Sequence, residues 1–339
     1  MGEIRPSFDS NRQVLGEIYP LDTPFNVIID ASEACNFKCN YCFRSDKDKA
    51  HWGYAQDNQI MQWDLFVKVI EQLKGFSQEV KQISLSNHGE PLVNRRLPDM
   101  VRHIKKIGIK SRVSIHTNAS LLDEEYVYDL ADSNIDRVVV SLQGLNADKY
   151  YETCGVKIDY ETFYRNLSLL YTIKKDTQID IKIANVALKE NEEKKFYEMY
   201  QPISDRVFVE QIVPIWKDVK IHDIPDSVQN KYGESFARQQ CCPLIFHTIV
   251  IAPNGDVYPC TQLLTSHKLG NINEKSIVQY WDSSQRIDLL MKQVELQRED
   301  LCKDCYILQN SIYTKEDMID EYRHEILDRL KKVDKQKTE

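Results

Sequence analysis

Apolar and polar positions alternate along this chain with two periods, and the switches between them mark its elements. Short runs rich in β-branched residues fall at 25–30, 81–86 (KQISLS), 112–117 (RVSIHT), 136–142 (DRVVVSL), 179–184 (IDIKIA) and 206–213 (RVFVEQIV), and each predicts a strand. Between them apolar residues recur at helical spacing, as at Trp63, Phe66, Val67, Ile70 and Leu73, and again at Leu97, Met100, Val101 and Ile104. Six such strand-then-helix units predict a parallel α/β sheet covered by helices, a barrel or part of one, because a closed ring of this kind needs eight units. Residues 249–258 predict a hairpin turning at Asn254-Gly255. From Thr314, with Asp317 three residues on as a capping box, Ile319, Tyr322, Ile326, Leu330 and Val333 predict an amphipathic helix that packs on the barrel. Residues 1–20 are polar without a period and are expected to drape over the barrel, and 216–240 read as a linker.

Composition changes this picture little. With 42% hydrophobic and 28% charged residues the chain can bury a large core, and 339 residues suit one large domain and a smaller one. A net charge of −8 with scattered lysines and arginines argues against a nucleic-acid partner, and no apolar run approaches a membrane span. The start Met1-Gly2-Glu3-Ile4-Arg5-Pro6 lacks a signal-peptide core and the hydroxyl residue of a myristoylation site, so the expected compartment is the cytoplasm.

The cysteines change it a great deal. Cys35-x3-Cys39-x2-Cys42 lies just past the first strand, where a parallel barrel presents its chemistry. Three thiolates hold a four-iron cluster by three corners and leave one iron open, whereas structural zinc sites and ferredoxin clusters take four protein ligands. A disulfide framework fits poorly, since nine cysteines in 339 residues follow no signal peptide. A zinc site lacks a nearby fourth ligand, as His51 stands nine residues beyond Cys42 in a polar stretch. A second group, Cys241, Cys242, Cys260, Cys302 and Cys305, supplies four thiols for a complete site and one spare; residue types alone leave zinc and iron–sulfur both open there.

Cys35-Asn36-Phe37-Lys38-Cys39-Asn40-Tyr41-Cys42, with its aromatic residue before the third cysteine, resembles the signature of the radical S-adenosylmethionine (SAM) enzymes. The resemblance implies a partial (β/α)6 TIM-like barrel, a SAM-binding 4Fe–4S cluster, and reductive cleavage of SAM to a 5′-deoxyadenosyl radical that takes a substrate hydrogen atom, with an external one-electron reductant such as flavodoxin or ferredoxin. Asn87-His88-Gly89-Glu90-Pro91 after the second strand resembles the family segment that holds the SAM amino group, which implicates Gly89 and Glu90, although a plain Gly-Pro turn would read similarly. By position, Asn118 in His116-Thr117-Asn118 and Ser141 in Ser141-Leu142-Gln143-Gly144 are implied to meet the ribose and carboxylate, and Tyr41 to cover the adenine or the cluster edge. The order Cys242-x12-Gly255-x4-Cys260, then Cys302-x2-Cys305, resembles the SPASM auxiliary-cluster extension in its shortened, twitch form, which implies one auxiliary 4Fe–4S cluster. The expected division is 1–23 as an N-terminal extension, 24–215 as the barrel, 216–240 as a linker, 241–310 as the twitch domain and 311–339 as a C-terminal helix and tail.

Twitch enzymes of this kind oxidise a secondary alcohol of a sugar or aminocyclitol, and that small-molecule oxidation is the expected reaction. Cys241 and Cys154, left over from the ligand sets, are candidate hydrogen-atom donors that would turn it into an epimerisation. Peptide modification is the main alternative; the 24 residues ahead of the first strand are too few for a peptide-recognition domain. A plain electron carrier is the alternative of another class, but it has no use for an open iron. For a general base, His88, His116, Glu210 and Asp30 all sit at strand ends, and none is singled out.

Overall fold

The computed structural model describes residues 1–7, 12–45, 59–213, 230–233, 239–262, 267–298, 300–303, 305–309 and 314–338. Its strands are β1 (Glu3–Ile4), β2 (Asn26–Ile29), β3 (Gln82–Ser84), β4 (Arg112–Thr117), β5 (Arg137–Leu142), β6 (Gln178–Ala184), β7 (Arg206–Glu210), β8 (Thr248–Ile251), β9 (Asp256–Tyr258) and β10 (Gly270–Asn271). The helices are α1 (Leu15–Ile18), α2 (Trp63–Leu73), α3 (Leu97–Lys106), α4 (Glu124–Asp132), α5 (Ala147–Cys154), α6 (Tyr160–Ile173), α7 (Glu193–Tyr200), α8 (Leu244–His247), α9 (Ile277–Trp281), α10 (Ser284–Val294), α11 (Asp300–Lys303), α12 (Tyr306–Gln309) and α13 (Arg323–Thr338). One sheet runs β1-β7-β6-β5-β4-β3-β2-β8-β9-β10. Strands β2 to β7 pair in parallel with their sequence neighbours, as the six predicted strand–helix units require.

Each central strand has two apolar or packed faces that do different work. On β5, Val138, Val140 and Leu142 join the core beneath the helices, while Arg137, Val139 and Ser141 point to the other face, the barrel lumen. On β6, Ile179, Ile181 and Ile183 are likewise outward, leaving Asp180 and Lys182 for the lumen. Side-chain caps start the covering helices: Asp123 accepts from Tyr126 N, Asn146 from Lys149 N and Asp159 from Thr162 N. Of the helix-period residues read from the sequence, Phe66, Ile70, Leu73, Leu97, Met100, Val101 and Ile104 are buried in this outer core, while Trp63 and Val67 pack against it partly buried.

Low in the lumen, Arg137 and Asp180 form an ion pair whose side chains are 6% and 0% exposed. Arg137 Nε donates to Asp180 Oδ2 at 2.9 Å, and Gln178 Nε2 donates to Asp180 Oδ1 at 2.7 Å. Removing one partner leaves a buried charge alone, so Asp180→Ala is expected to cost about 3–5 kcal/mol, read as a lower urea midpoint. The double replacement Arg137→Met with Asp180→Leu is expected to recover most of that loss.

The predicted hairpin is present as β8 and β9, antiparallel, with Gly255 at φ +86° in its turn. Strand β8 also pairs in parallel with β2 from Asn26↔Thr248 to Ile29↔Ile251, which fuses the C-terminal part to the barrel edge. A second core gathers Leu15, Tyr19, Cys241, Phe246, Ile287, Leu290, Ile319, Ile326 and Leu330.

Three expectations need correction. The N-terminal residues do not merely drape: β1 pairs with β7, and α1 enters the second core. A two-residue strand and a one-turn helix are too short to show a period. The last helix starts at Arg323, not Thr314. Lys315–Asp317 is a single 3-10 turn, the Thr314 side chain makes no capping bond, and Asp317 pairs with Arg12. That helix packs on α10 and the second core, not on the barrel. Of the expected linker, 214–229 and 234–238 lie outside the described residues; 230–233 dock on the barrel, the Lys231 carbonyl accepting from Gln211 N at 2.8 Å. Among the described residues no helix is long and apolar enough to cross a membrane.

Candidate active site

The loop after β2 carries Cys35, Cys39 and Cys42, all half-buried. It is held from two sides. Lys38 N donates to Cys154 O at 3.1 Å and Asn40 N to Thr153 O at 2.9 Å, so the end of α5 braces it, with Phe37 edge-on to Tyr150. Asn118 Nδ2 donates to Asn36 Oδ1 at 2.9 Å and Asn36 Nδ2 to Ser120 Oγ at 2.8 Å, which ties it to the end of β4. The three thiols share one neighbourhood. Burial pushes each of them up, Cys35 to about 11, and the charge of Cys42 raises both Cys35 and Cys39 further. Three thiols that resist joint ionisation in this way fit a cationic centre among them, since coordination to metal deprotonates a thiol outright. Among the described residues no three His, Cys, Asp or Glu groups converge on a single ion. A tetrahedral zinc would bring its sulfurs to roughly 4 Å of one another, whereas a cluster gives each thiolate its own iron.

The loop after β3 lies directly on this one. A Cβ on Gly89 would stand 2.0 Å from Ser32 O and 2.6 Å from the Glu33 carbonyl carbon, so only glycine fits there. Glu90 N donates to Ala34 O at 2.9 Å. The Glu90 side chain, 2% exposed, accepts from Leu92 N at 3.0 Å, Thr117 Oγ1 at 2.5 Å and Asn118 N at 2.7 Å. Burial raises its pKa to about 7 against the pull of those three donors. Glu90 and Asn118 thus meet each other, and both stand behind the cysteine loop. Tyr41 OH bonds Gln143 Oε1, which also receives Cys39 Sγ at 3.5 Å, and Gln143 Nε2 donates to Ser141 O at 3.1 Å. So Tyr41, Gly89, Glu90, Asn118 and Ser141 are brought to one end of the barrel with the three cysteines. Sequence reasoning missed Asn36, Gln143 and Thr117 as positioning residues, although Asn36 lies beside Cys35 and Gln143 follows Ser141 by two.

The second thiol group also assembles. Burial raises Cys260, and the charges of Cys242, Cys302 and Cys305 raise it further, so all three lie near it. Cys241 does not join them: it is 0% exposed among the apolar side chains of the second core, its N–H donating to Asp320 Oδ1 at 2.8 Å. Cys242 beside it is only half-buried. Cys242→Ala is therefore expected to lower iron from about eight to about four atoms per chain. Cys241→Ala should keep about eight and cost about 1–2 kcal/mol of stability from the cavity. Iron analysis with thermal unfolding checks both.

Cys154 is also 0% exposed, its Sγ donating to Tyr150 O at 2.9 Å inside the last turn of α5. His88 lies between the two cysteine groups, edge-on to Phe43, its carbonyl taking Arg44 Nε at 2.9 Å and its ring meeting the backbone of Thr261 beside Cys260. Burial lowers it to about 3, so it is neutral. Asp30, 1% exposed, accepts from His88 N at 3.2 Å. Burial would raise Glu210, but Lys182 and Lys231 outweigh that and hold it at about 2, which makes it a poor proton acceptor.

The Radical SAM superfamily model matches residues 29–201, half of the chain, and the SPASM iron–sulfur cluster-binding domain model matches 241–306. The chain belongs to the radical SAM superfamily. It carries a SAM-binding 4Fe–4S cluster and an auxiliary cluster and uses SAM, on a partial TIM barrel with a C-terminal SPASM domain. It is 24% identical over 296 residues to a tungsten-containing aldehyde ferredoxin oxidoreductase cofactor-modifying protein of Pyrococcus furiosus, covering 75% of this chain and 80% of that one. It is 25% identical over 206 residues to a GTP 3′,8-cyclase of Clostridium perfringens, where the match spans 59% of this chain and 58% of the relative. Solved structures share the fold: BtrN with AdoMet and 2-DOIA at TM-score 0.52, 19% identity, and 85% and 94% coverage of this chain and that one. The protein anSMEcpe with AdoMet gives TM-score 0.57, 17% identity, and 91% and 99% coverage. SuiB of Streptococcus suis with SAM gives TM-score 0.53, 18% identity, and 87% and 74% coverage.

Proposed function

We propose that this enzyme dehydrogenates a hydroxyl-bearing carbon of a small, sugar-like molecule held in the barrel mouth. When bound, the first cluster and SAM together supply the 5′-deoxyadenosyl radical that takes the substrate hydrogen atom. Cys35, Cys39 and Cys42 would hold that cluster. Gly89 and Glu90 fix the neighbouring loop against Ser32 and Ala34, while Asn118 locks Asn36 and Tyr41 reaches Gln143. The observation that supports the reading is that Cys242, Cys302 and Cys305 lie near enough to Cys260 for their charges to raise its thiol, as a four-thiol set would. Four protein thiols leave a single auxiliary cluster no place for substrate, and such a cluster serves to take an electron, as an oxidation requires.

Epimerisation is less well supported. It needs a thiol at the substrate, and both spare cysteines, Cys154 and Cys241, are wholly buried in packed cores. The test is anaerobic incubation with SAM and reductant in deuterated water against a panel of sugars, aminocyclitols and short peptides. One 5′-deoxyadenosine per oxidised small molecule, without solvent deuterium in the product, is the expected result. Solvent deuterium at the product carbon would identify an epimerase, and turnover of peptides alone would overturn the small-molecule reading. The reduced thiols fit a cytoplasmic setting with an external one-electron donor such as flavodoxin or ferredoxin.

A further inference from the structure

The charges that line the lumen occur in two storeys. The lower one, Arg137 with Asp180, is closed, neutral and sealed from solvent. The upper one, among the described residues, is not balanced. Lys182 Nζ donates to Glu210 Oε2 at 2.7 Å, and Lys231 Nζ stands 3.6 Å from Glu210 Oε1, so two ammonium groups share one carboxylate. Their side chains are 21%, 25% and 15% exposed for Lys182, Lys231 and Glu210, so each stays partly wet. Among the described residues the other titratable groups around them are His116, which burial holds at about 3 and therefore neutral, Tyr232 beside Lys231, and Arg137 of the lower storey. His116 is exposed to solvent, as a residue lining an open lumen is. Among the described residues the upper storey thus sets two ammonium groups against one carboxylate.

We propose that Lys182 and Lys231 form a receptor for an anionic group of the substrate, a phosphate or a carboxylate. Three features of the structure support this. Two ammonium groups that share one carboxylate, with Tyr232 beside Lys231, carry a desolvation cost that an incoming anion would offset. Each ammonium has three N–H donors, and the carboxylate of Glu210 takes one from Lys182 at hydrogen-bond distance, which leaves donors to offer. The place is also right. Lys182 and Glu210 sit near the carboxyl ends of β6 and β7, the end where the cysteine loop follows β2, but four to five strands across the sheet from β2. A molecule anchored there by its anion would extend its carbons toward the SAM side.

This inference rests on the reading that a small molecule enters the lumen, and it narrows that reading: sugar phosphates, nucleotides and sugar acids suit the site, and a cationic aminocyclitol does not. The test is titration calorimetry on reconstituted holoenzyme at low ionic strength, without SAM, using pyrophosphate for the phosphate arm, malonate for the carboxylate arm and myo-inositol as a neutral control. One of the two anions is expected to bind at one site per chain while inositol does not. Lys182→Gln and Lys231→Gln should each weaken that binding at least tenfold, and Glu210→Gln, which removes the internal competitor, should tighten it several-fold. Iron content and thermal midpoint show that each variant is folded. A purely structural triad predicts no tightening in Glu210→Gln, and either that result in folded protein, or equal anion binding in wild type and both lysine variants, overturns the proposal. Because SAM is absent, failure here leaves the oxidation reading to its own assay.

Discussion

Replacing any one of Cys35, Cys39 or Cys42 with alanine is expected to abolish 5′-deoxyadenosine formation, by at least about a thousandfold, and to lower iron from about eight to about four atoms per chain. The size of the effect follows from the count of ligands. Three thiolates are the minimum that leaves a single iron open, so losing one opens a second corner to water and loosens the cluster. The loop itself should survive, because Phe37 packs on Tyr150 and Asn36 is bonded to Asn118 and Ser120 independently of the thiols. Circular dichroism of each variant should therefore match wild type while the product of SAM cleavage vanishes. Substantial 5′-deoxyadenosine from the Cys39→Ala protein would contradict the assignment.

The second large effect comes from an atom that is missing. Gly89→Ala would put a methyl carbon 2.0 Å from Ser32 O, with Glu33 and Ala34 backbone atoms behind it. None of these belongs to a flexible side chain, so the loops must part. Parting them breaks Glu90 N to Ala34 O and shifts the residues that lead into Cys35. A displacement of about 1 Å at a reacting site costs on the order of a hundredfold in rate. Loss of SAM cleavage by at least that factor, with SAM binding weakened in equilibrium dialysis, is the expected outcome. Near-normal cleavage in a folded Gly89→Ala protein would mean that the two loops do not need this contact.

Much of the architecture was legible in the chain because each central strand repeats one rule: Val138, Val140 and Leu142, or Ile179, Ile181 and Ile183, at every second position under a helix face. The first cysteine motif was equally plain, since its spacing states its ligand count. What stayed hidden depends on where distant segments meet. Cys241 and Cys242 are neighbours in sequence, and only the second core, built from Leu15 to Leu330, shows which one is a packing residue. Glu90 reads as a group aimed at a ligand, but its carboxylate is filled by Leu92 N, Thr117 Oγ1 and Asn118 N, two of them from the end of β4. Glu210 reads as a base at a strand end until Lys182 and Lys231 are seen on either side of it. Elements of two to four residues, such as β1 and α1, carry no period to read.

The claim on which all of this depends is that Cys35, Cys39 and Cys42 leave one iron for SAM. Electron-nuclear double resonance of the reduced, oxygen-free protein, with SAM labelled in its amino nitrogen and carboxylate oxygens, addresses that claim directly. Hyperfine coupling from both labels to the first cluster, lost in the Cys39→Ala protein, is the predicted result. No coupling from either label, with a signal from a protein nitrogen or oxygen ligand in its place, would contradict it.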